Sequence, residues 1–396
     1  MTSSSVIAEG AASATDTAGV PADFIGLTNS LCDAQALLTA LELDLFGTLA
    51  AGPAHPDTLR ATLGLHGRGL ADWLDLLVHS GMLERHGDRY RNAPVADRYL
   101  VRGGAHYTGD VLRRRMFPAL LALTESLRTG APHGTDEFTD TVSRLDVVRQ
   151  FADQMDFITD PLAGPLLAAY DDWGRHRSVL DVGGCRGGLL SRLLAAHPHL
   201  TGQVFDLPMM APLAAEQAAA HGLRGRLTFH AGNFFTDPLP ASDVVVMGHT
   251  LVNWPAERRA FLLRALHASV NPGGVLLVYD RMLTGALDEA ERHNLRISLS
   301  MLVLTRGGSG YPLEELRSHA TAAGFAGVTH QRLGAYDTLV VCRKAPVANG
   351  ASPGSADGRA RGQVNGDVEA AVGQRRQAQR PVVGGDDRPH DGQAET

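Results

Sequence analysis

Between Arg177 and Lys344 the sequence alternates short runs rich in β-branched residues with longer runs rich in Ala and Leu. The seven short runs are Ser178–Val182, Gln203–Phe205, Leu227–His230, Asp243–Met247, Gly274–Tyr279, Val328–Arg332 and Thr338–Cys342. Apolar strands that alternate with helices predict an α/β fold with a mostly parallel sheet, covered by helices on both faces. The last two runs have no helix between them, so we expect them to form an antiparallel hairpin at the sheet edge.

The N-terminal part, from Pro21 to about residue 105, has a helical pattern followed by a hairpin. One apolar stripe at helical spacing consists of Leu70, Trp73, Leu74, Leu77 and Val78. Two short segments around His86-Gly87-Asp88 predict the hairpin. Helices followed by a hairpin are typical of a winged helix, which serves either DNA binding or packing and dimerisation. The net charge of −7 and the lack of a recognition helix rich in Arg, Asn and Gln favour dimerisation.

Composition and charge exclude several classes of protein. A net charge of −7 argues against general nucleic-acid binding. No apolar run reaches the roughly 18 residues that a membrane span needs, and the Ser/Ala-rich start has no basic residue of a secretory signal. Three distant cysteines exclude a disulfide framework, and the 17 scattered histidines lack metal-ligand spacing. We therefore expect a cytoplasmic protein without metal, with disordered ends at residues 1–20 and 345–396.

Four motifs follow four consecutive predicted strands, at the edge where open α/β sheets bind ligands. They are Asp181-Val-Gly-Gly-Cys-Arg-Gly187, Phe205-Asp-Leu-Pro208, Gly232-Asn-Phe-Phe235 and Gly248-His-Thr-Leu-Val-Asn-Trp-Pro255. The glycines allow a tight turn and close approach of a ligand to the backbone, although the spacing is not that of dinucleotide binders. An acidic residue after the second strand can accept hydrogen bonds from ribose hydroxyls. The side-chain acceptor and the aromatic ring of the third motif can bind the amine and the face of a purine.

Together these motifs resemble the S-adenosylmethionine-dependent O-methyltransferases of the caffeate, acetylserotonin and anthracycline type, in their bacterial natural-product branch. The resemblance covers roughly residues 22–344 and includes Asn271-Pro-Gly-Gly274, Ala323-Gly-Phe325, Ala36–Phe46 and Arg89–Asn92. It implies a Rossmann-like class I methyltransferase sheet of seven strands in residues 177–344. It also implies a winged-helix dimerisation domain in residues 21–105 and connecting helices in residues 106–176 that line the acceptor pocket. We therefore expect a homodimer.

The resemblance also implies roles for individual residues. S-adenosyl-L-methionine would be the methyl donor, without a metal, and the acceptor would be an aromatic hydroxyl of a small specialised metabolite. The implied donor-binding residues are Asp181, Gly183, Gly184, Gly187, Asp206, Leu207, Gly232, Asn233, Phe234 and Gly248. The implied acceptor-binding residues are Met155, Trp254, Asn294, Ile297, Ser300 and Met301. Positions 297, 300 and 301 share one face of a helix.

Three positions depart from the family pattern. Cys185 stands where glycine is usual, Asn233 where aspartate is usual, and Val252 where many members have a histidine base. Ionising a phenol at pH 7 costs roughly 4 kcal/mol, whereas orientation of the reactants is worth roughly 7–11 kcal/mol. We therefore expect catalysis mainly by proximity, with His249 or His293 as a substitute proton acceptor. Aromatic C-methylation and a non-catalytic or regulatory role are the alternatives.

Overall fold

The computed structural model describes residues 22–104, 106–133 and 145–347 of the chain. The segment 1–20 that we predict to be disordered lies outside these residues, as does the predicted tail from position 348 onward. None of the helices within the described ranges is long and apolar enough to cross a membrane.

Five helices and a hairpin form the N-terminal part of the described chain. The helices are α1 (Ala22–Glu42), α2 (Leu45–Ala50), α3 (Pro56–Thr62), α4 (Leu70–His79) and α5 (Pro94–Tyr99). Between α4 and α5, strands β1 (Leu83–His86) and β2 (Arg89–Asn92) pair antiparallel. Leu70, Leu74 and Leu77 of the predicted stripe are buried and pack with Leu41 and Phe46 into one cluster. Burial of this stripe holds the helices against the hairpin, because apolar area removed from water is the main source of stability.

Further helices lie within residues 109–129 and 145–169. The first three are α6 (Gly109–Val111), α7 (Phe117–Leu121) and α8 (Leu123–Thr129), with a π-helical turn at Leu112–Met116 between α6 and α7. The long α9 (Leu145–Ala169) follows after the undescribed segment. Its last turns pack Leu162 and Leu166 against the main sheet, while Val148 and Ala152 lie near the glycine turn.

The main sheet has seven strands in the order β5-β4-β3-β6-β7-β9-β8. The strands are β3 (Ser178–Val182), β4 (Thr201–Asp206), β5 (Leu227–Ala231), β6 (Ser242–Gly248), β7 (Val270–Asp280), β8 (Gly327–Leu333) and β9 (Asp337–Arg343). Strands β3 to β7 are parallel, and β9 runs antiparallel to both β7 and β8. The predicted sheet and its antiparallel last pair are therefore confirmed. Strand β7 begins four residues before its predicted start, because Val270 pairs with Ser242 ahead of a register shift.

Helices cover both faces of the sheet. They are α10 (Gly188–Ala196), α11 (Ala211–Ala220), α12 (Ala256–Ser269), α13 (Glu289–Leu304) and α14 (Leu313–Ala323). Val179 packs into the cluster on one face, and its neighbours Leu180 and Val182 lie in the cluster on the other face. Strand order reverses between β3 and β6, so a crevice opens at the carboxyl end of β3, where such sheets bind ligands.

Candidate active site at the carboxyl ends of the strands

The turn after β3 follows a backbone path that favours glycine. Gly183 and Gly187 have φ angles of 75° and 84°, and Gly187 immediately precedes the first residue of α10. Cys185 between them has a φ of 55° although it carries a side chain. Its thiol is buried and lies 3.7 Å from the Met210 sulfur, so burial raises the pKa of the Cys185 thiol well above its usual value. This cysteine is a packed group in a strained turn, which explains why glycine also suits the position.

Asp206, the last residue of β4, is held next to this turn by two short hydrogen bonds. The N–H of Cys185 donates to Oδ2, and the N–H of Leu207 donates to Oδ1, each at 2.7 Å. Burial raises the pKa of Asp206 to about 6, while the two N–H groups oppose that shift. A carboxylate accepts about four hydrogen bonds, so two lone pairs remain for the two hydroxyls of a ribose. The arrangement fits the nucleoside part of S-adenosylmethionine.

A second carboxyl lies beneath the same turn. Asp181 is only 4% exposed, and a Cβ added to Gly184 would overlap its carboxyl group. Burial and the nearby charge of Asp206 raise the pKa of Asp181 to about 7. This carboxyl therefore lies under the glycine turn, and this edge of the sheet is strongly negative when both acids are ionised.

The third motif forms a turn stabilised by its own side chain. The N–H of Phe235 donates to Oδ1 of Asn233 at 2.9 Å, and the N–H of Asn233 donates to Asp237 at 2.8 Å. Phe234 and Phe235 pack edge-to-face against each other and against Trp254, with ring centroids 4.6 to 6.0 Å apart. Gly232 lies against the ring of Phe205. The structure thus brings an exposed amide and an aromatic cluster to the edge next to Asp206.

The fourth motif passes directly over Tyr279 of β7. Gly248 lies so close to this ring that any Cβ would overlap it. His249 follows with a φ of 48°, and its Nε2 lies 2.5 Å from Oδ1 of Asp337. Val252 is buried, and its N–H donates to Oδ2 of Asp280 at 3.1 Å. The strand end therefore carries a histidine paired with a carboxylate, three positions before the valine.

Five of the six residues that the resemblance assigns to the acceptor lie on α9 and α13, and the sixth, Trp254, lies just before α12. Met155 packs with Cys185 and Met210, and Ile297 and Met301 are partly buried on α13. The hydroxyl of Ser300 donates to the carbonyl of Arg296 within the same helix.

Asn294 and His293 contact Tyr336 from α13. Asn294 donates through Nδ2 to the carbonyls of Met282 and Tyr336, and its buried Oδ1 has no hydrogen-bond partner within the described ranges. His293 stacks on Tyr336 at 3.9 Å, and burial, aided by Arg281 and Arg296, lowers the pKa of His293.

Sequence reasoning missed two residues that the fold brings to the site. Asp337 is 88 positions from its partner His249, and no local pattern connects them. Arg186, in the glycine turn, donates to Asp156 of α9 at 2.7 Å and pairs with Asp153 at 2.8 Å, with each of the three side chains less than a fifth exposed. Burial raises the pKa of Asp156 against the opposing effect of Arg186. This cluster fastens the glycine turn to the helix that carries Met155.

Comparisons with known proteins match two domains of the chain. An O-methyltransferase domain matches residues 124–326, and an O-methyltransferase dimerisation domain matches residues 25–102. The 8-O-methyl transferase TcmO of tetracenomycin polyketide synthesis in Streptomyces glaucescens is 38% identical, over 82% of this chain and 97% of its own. The N,N-dimethyltransferase OxyT of Streptomyces rimosus is also 38% identical, over 76% of this chain and 89% of its own.

A solved structure shows the same fold. Human N-acetylserotonin methyltransferase in complex with S-adenosylmethionine has a TM-score of 0.68 and 24% identity, over 85% of this chain and all of its own. The glycine turn with Asp206 beside it, together with matches to both domains, leads to one assignment. The chain belongs to the S-adenosylmethionine-dependent O-methyltransferase family.

Proposed function

We propose that the protein transfers the methyl group of S-adenosylmethionine to a hydroxyl on an aromatic ring of a small specialised metabolite. The observation that carries the proposal is Asp206, which retains two free lone pairs beside the glycine turn. A polyketide hydroxyl as acceptor is supported by the similarity to TcmO, an 8-O-methyl transferase of polyketide synthesis.

The donor residues bind and orient the nucleoside. Asp206 accepts from the ribose hydroxyls, Asn233 and Phe234 flank the adenine, and the backbone around Gly183 and Gly184 lies along the methionine part. S-adenosylmethionine supplies a methyl group on a positively charged sulfur. Fixing two reactants in line is worth about 7–11 kcal/mol, which exceeds the roughly 4 kcal/mol needed to ionise a phenol at pH 7. Orientation of the two reactants is therefore the main source of the rate enhancement.

The acceptor side combines apolar surface with polar atoms that lack partners. Met155, Ile297 and Met301 would contact the ring system. Trp254 Nε1 and His293 Nε2 are buried without a hydrogen-bond partner among the residues that the structure describes. Buried polar atoms are almost always paired in folded proteins, so these atoms suit an acceptor rich in oxygen.

We propose that the functional form is a homodimer. Phe24, Leu27 and Leu31 form one stripe along α1 at helical spacing, and their side chains are 58%, 70% and 72% exposed. The match of residues 25–102 to a dimerisation domain supports burial of this stripe in a second copy. The net charge of −7 and the free cysteines favour a cytoplasmic protein whose partner is a small molecule and not a nucleic acid or a membrane.

N-methylation is a second candidate, because OxyT, an N,N-dimethyltransferase, is as similar as TcmO. Carbon methylation of a phenol uses the same donor site and is a third outcome of the test. The purified protein would be incubated with S-adenosylmethionine and a panel of polycyclic phenols and arylamines, and the products analysed by two-dimensional NMR. A methyl group on a phenolic oxygen supports the proposal, whereas a methyl group on nitrogen or on a ring carbon refutes it. Calorimetry with S-adenosylhomocysteine tests the non-catalytic alternative, which gains support if a folded sample does not bind.

A further inference from the structure

Two elements from different parts of the chain place His249 and Asp337 side by side. His249 follows the carboxyl end of β6, and Asp337 is the first residue of β9. Because β9 runs antiparallel to β7, its first residue lies at the edge where the parallel strands end. The side chains are only 13% and 5% exposed, and Nε2 of the histidine lies 2.5 Å from a carboxylate oxygen. A hydrogen bond this short, in a site largely closed to water, fixes the orientation of the imidazole ring.

The pairing determines which ring nitrogen is available. With Nε2–H donating to Asp337, the lone pair of the neutral imidazole lies on Nδ1 of His249. This Nδ1 is buried and has no hydrogen-bond partner among the described residues. A buried basic nitrogen without a hydrogen-bond partner lowers the stability of a folded protein. It is suited to accept a proton from a bound hydroxyl.

The backbone at His249 is strained and firmly held. Its φ of 48° is rare for a residue with a side chain. Its N–H donates to the carbonyl of Tyr279 at 3.1 Å, and its carbonyl accepts from Nδ2 of Asn253 at 3.1 Å. The ring also meets Tyr279 edge-to-face at 5.2 Å. Strained conformations that the surrounding structure maintains are concentrated at functional sites.

The other charged groups nearby leave the pair intact. Oδ2 of Asp280 accepts hydrogen bonds from the N–H of Val252 and the hydroxyl of Tyr311, so that carboxylate is engaged elsewhere. Tyr279 meets the imidazole ring of His249 edge-to-face, and the charges of Arg281 and Asp337 both act on His293. His293 stacks on Tyr336, and no hydrogen bond to its ring is present within the described ranges. Among the residues that the structure describes, a carboxylate makes a hydrogen bond with the ring of His249, whereas Nε2 of His293 has no such partner.

We propose that His249 is the proton acceptor of the methyl transfer and that Asp337 is the positioning residue that holds it, in place of a base at Val252. The inference rests on the proposed O-methylation. Nδ1 takes the hydroxyl proton as the acceptor oxygen forms its bond to the methyl carbon. The carbon–sulfur bond breaks at the same time, and its electron pair returns to sulfur. The imidazolium is stabilised by Asp337 and later releases its proton to water.

His249→Asn and Asp337→Asn test the pair. Asparagine tolerates the left-handed backbone of position 249, so the first variant removes the base without adding strain. A positioned base contributes about 10²–10⁴-fold, so kcat for 2-naphthol at pH 7 should fall at least 100-fold in His249→Asn and about tenfold or more in Asp337→Asn. His221→Gln, on an exposed helix end, is the matched control and should keep the wild-type kcat. Binding of S-adenosylhomocysteine should stay within about threefold in all variants.

The pH dependence of kcat distinguishes a role of His249 as a base from a purely structural role. As the pH rises through the pKa of the phenol, the substrate loses its proton without a base. The kcat of His249→Asn should therefore come to within about tenfold of the wild-type kcat. An equal loss of kcat relative to wild type at pH 7 and at pH 10 would overturn the proposal. Wild-type kcat in His249→Asn at pH 7 would also overturn it.

Nitrogen NMR of the ring gives a readout that needs no turnover. The wild-type His249 ring should show a protonated Nε2 and an unprotonated Nδ1, and Asp337→Asn should redistribute the two tautomers. An Nδ1-protonated ring in the wild type would refute the inference even if no tested phenol is methylated. Failure of the whole phenol panel, together with the expected tautomer, would count against the proposed function and leave the pair supported.

Discussion

Asp206→Asn tests the donor site most directly. Two of about four acceptor positions on the carboxylate are used by the N–H groups of Cys185 and Leu207, which leaves two for the ribose. Asparagine offers one neutral oxygen, and its NH₂ group faces a backbone N–H. The variant therefore loses at least one charge-assisted hydrogen bond to the ribose. Such a bond is worth about 1.5–3 kcal/mol, which corresponds to roughly 10- to 150-fold weaker binding.

The assay is calorimetric titration with S-adenosylhomocysteine across a pH series. Ribose hydroxyls donate to the ionised carboxylate, and burial raises the pKa of Asp206 to about 6 in the free protein. Wild-type affinity should therefore be complete at pH 8 and fall as the pH drops through about 6, whereas the variant should lose this dependence. Asp88→Asn, on an exposed turn, is the control. Equal affinity of Asp206→Asn and wild type at pH 8 would refute the placement of the ribose.

Stability provides a check that the variant is folded. A carboxyl whose pKa is raised in the folded state costs stability when ionised, and this cost disappears as pH falls below about 6. Asp206→Asn removes the cost and also the repulsion of Asp181, but it sacrifices one backbone hydrogen bond, worth about 1–3 kcal/mol. The two effects oppose each other, so the melting temperature at pH 8 should change by only a few degrees. A loss of binding without a loss of folding locates the defect in the site.

Four further substitutions, at three positions, test the packing around the site and the dimer. Arg186→Met leaves two carboxylates of α9 without their cation and should destabilise the fold by about 3 kcal/mol at pH 8. The loss should be smaller at pH 5 than at pH 8, because burial raises the pKa of Asp156 and so favours protonation of that carboxyl as the pH falls. Urea unfolding at both pH values measures this, and equal losses would contradict it. Cys185→Gly should stay within about 1 kcal/mol of wild type, because relief of the left-handed backbone offsets the lost side chain, whereas Cys185→Val should lose more than about 2 kcal/mol. Leu31→Asp should convert the dimer to monomers in sedimentation at micromolar concentration, since a charge cannot be buried in an apolar interface; an unchanged dimer would exclude α1 from it.

The sequence was sufficient for the architecture and for the prediction that the four motifs meet at one edge of the sheet. Strand periodicity is local, so β3 to β9 could be located from runs of apolar residues, with errors of a few residues at their ends. The glycine turn and Asp206 could be placed together because carboxyl ends of neighbouring parallel strands meet at one edge. The resemblance then identified S-adenosylmethionine as the methyl donor and indicated the family, and both agree with the matched domains.

Tertiary structure decided how the charged side chains pair. Asp337 reaches His249 only because β9 lies antiparallel beside β7, and β7 alone separates it from β6 in the sheet. Arg186 meets Asp153 and Asp156 only because α9 packs against the glycine turn. These contacts depend on strand order and helix docking, which are set by burial of the whole core. Local spacing therefore identified His249 as a candidate, and only the packed fold supplied the carboxylate that orients it.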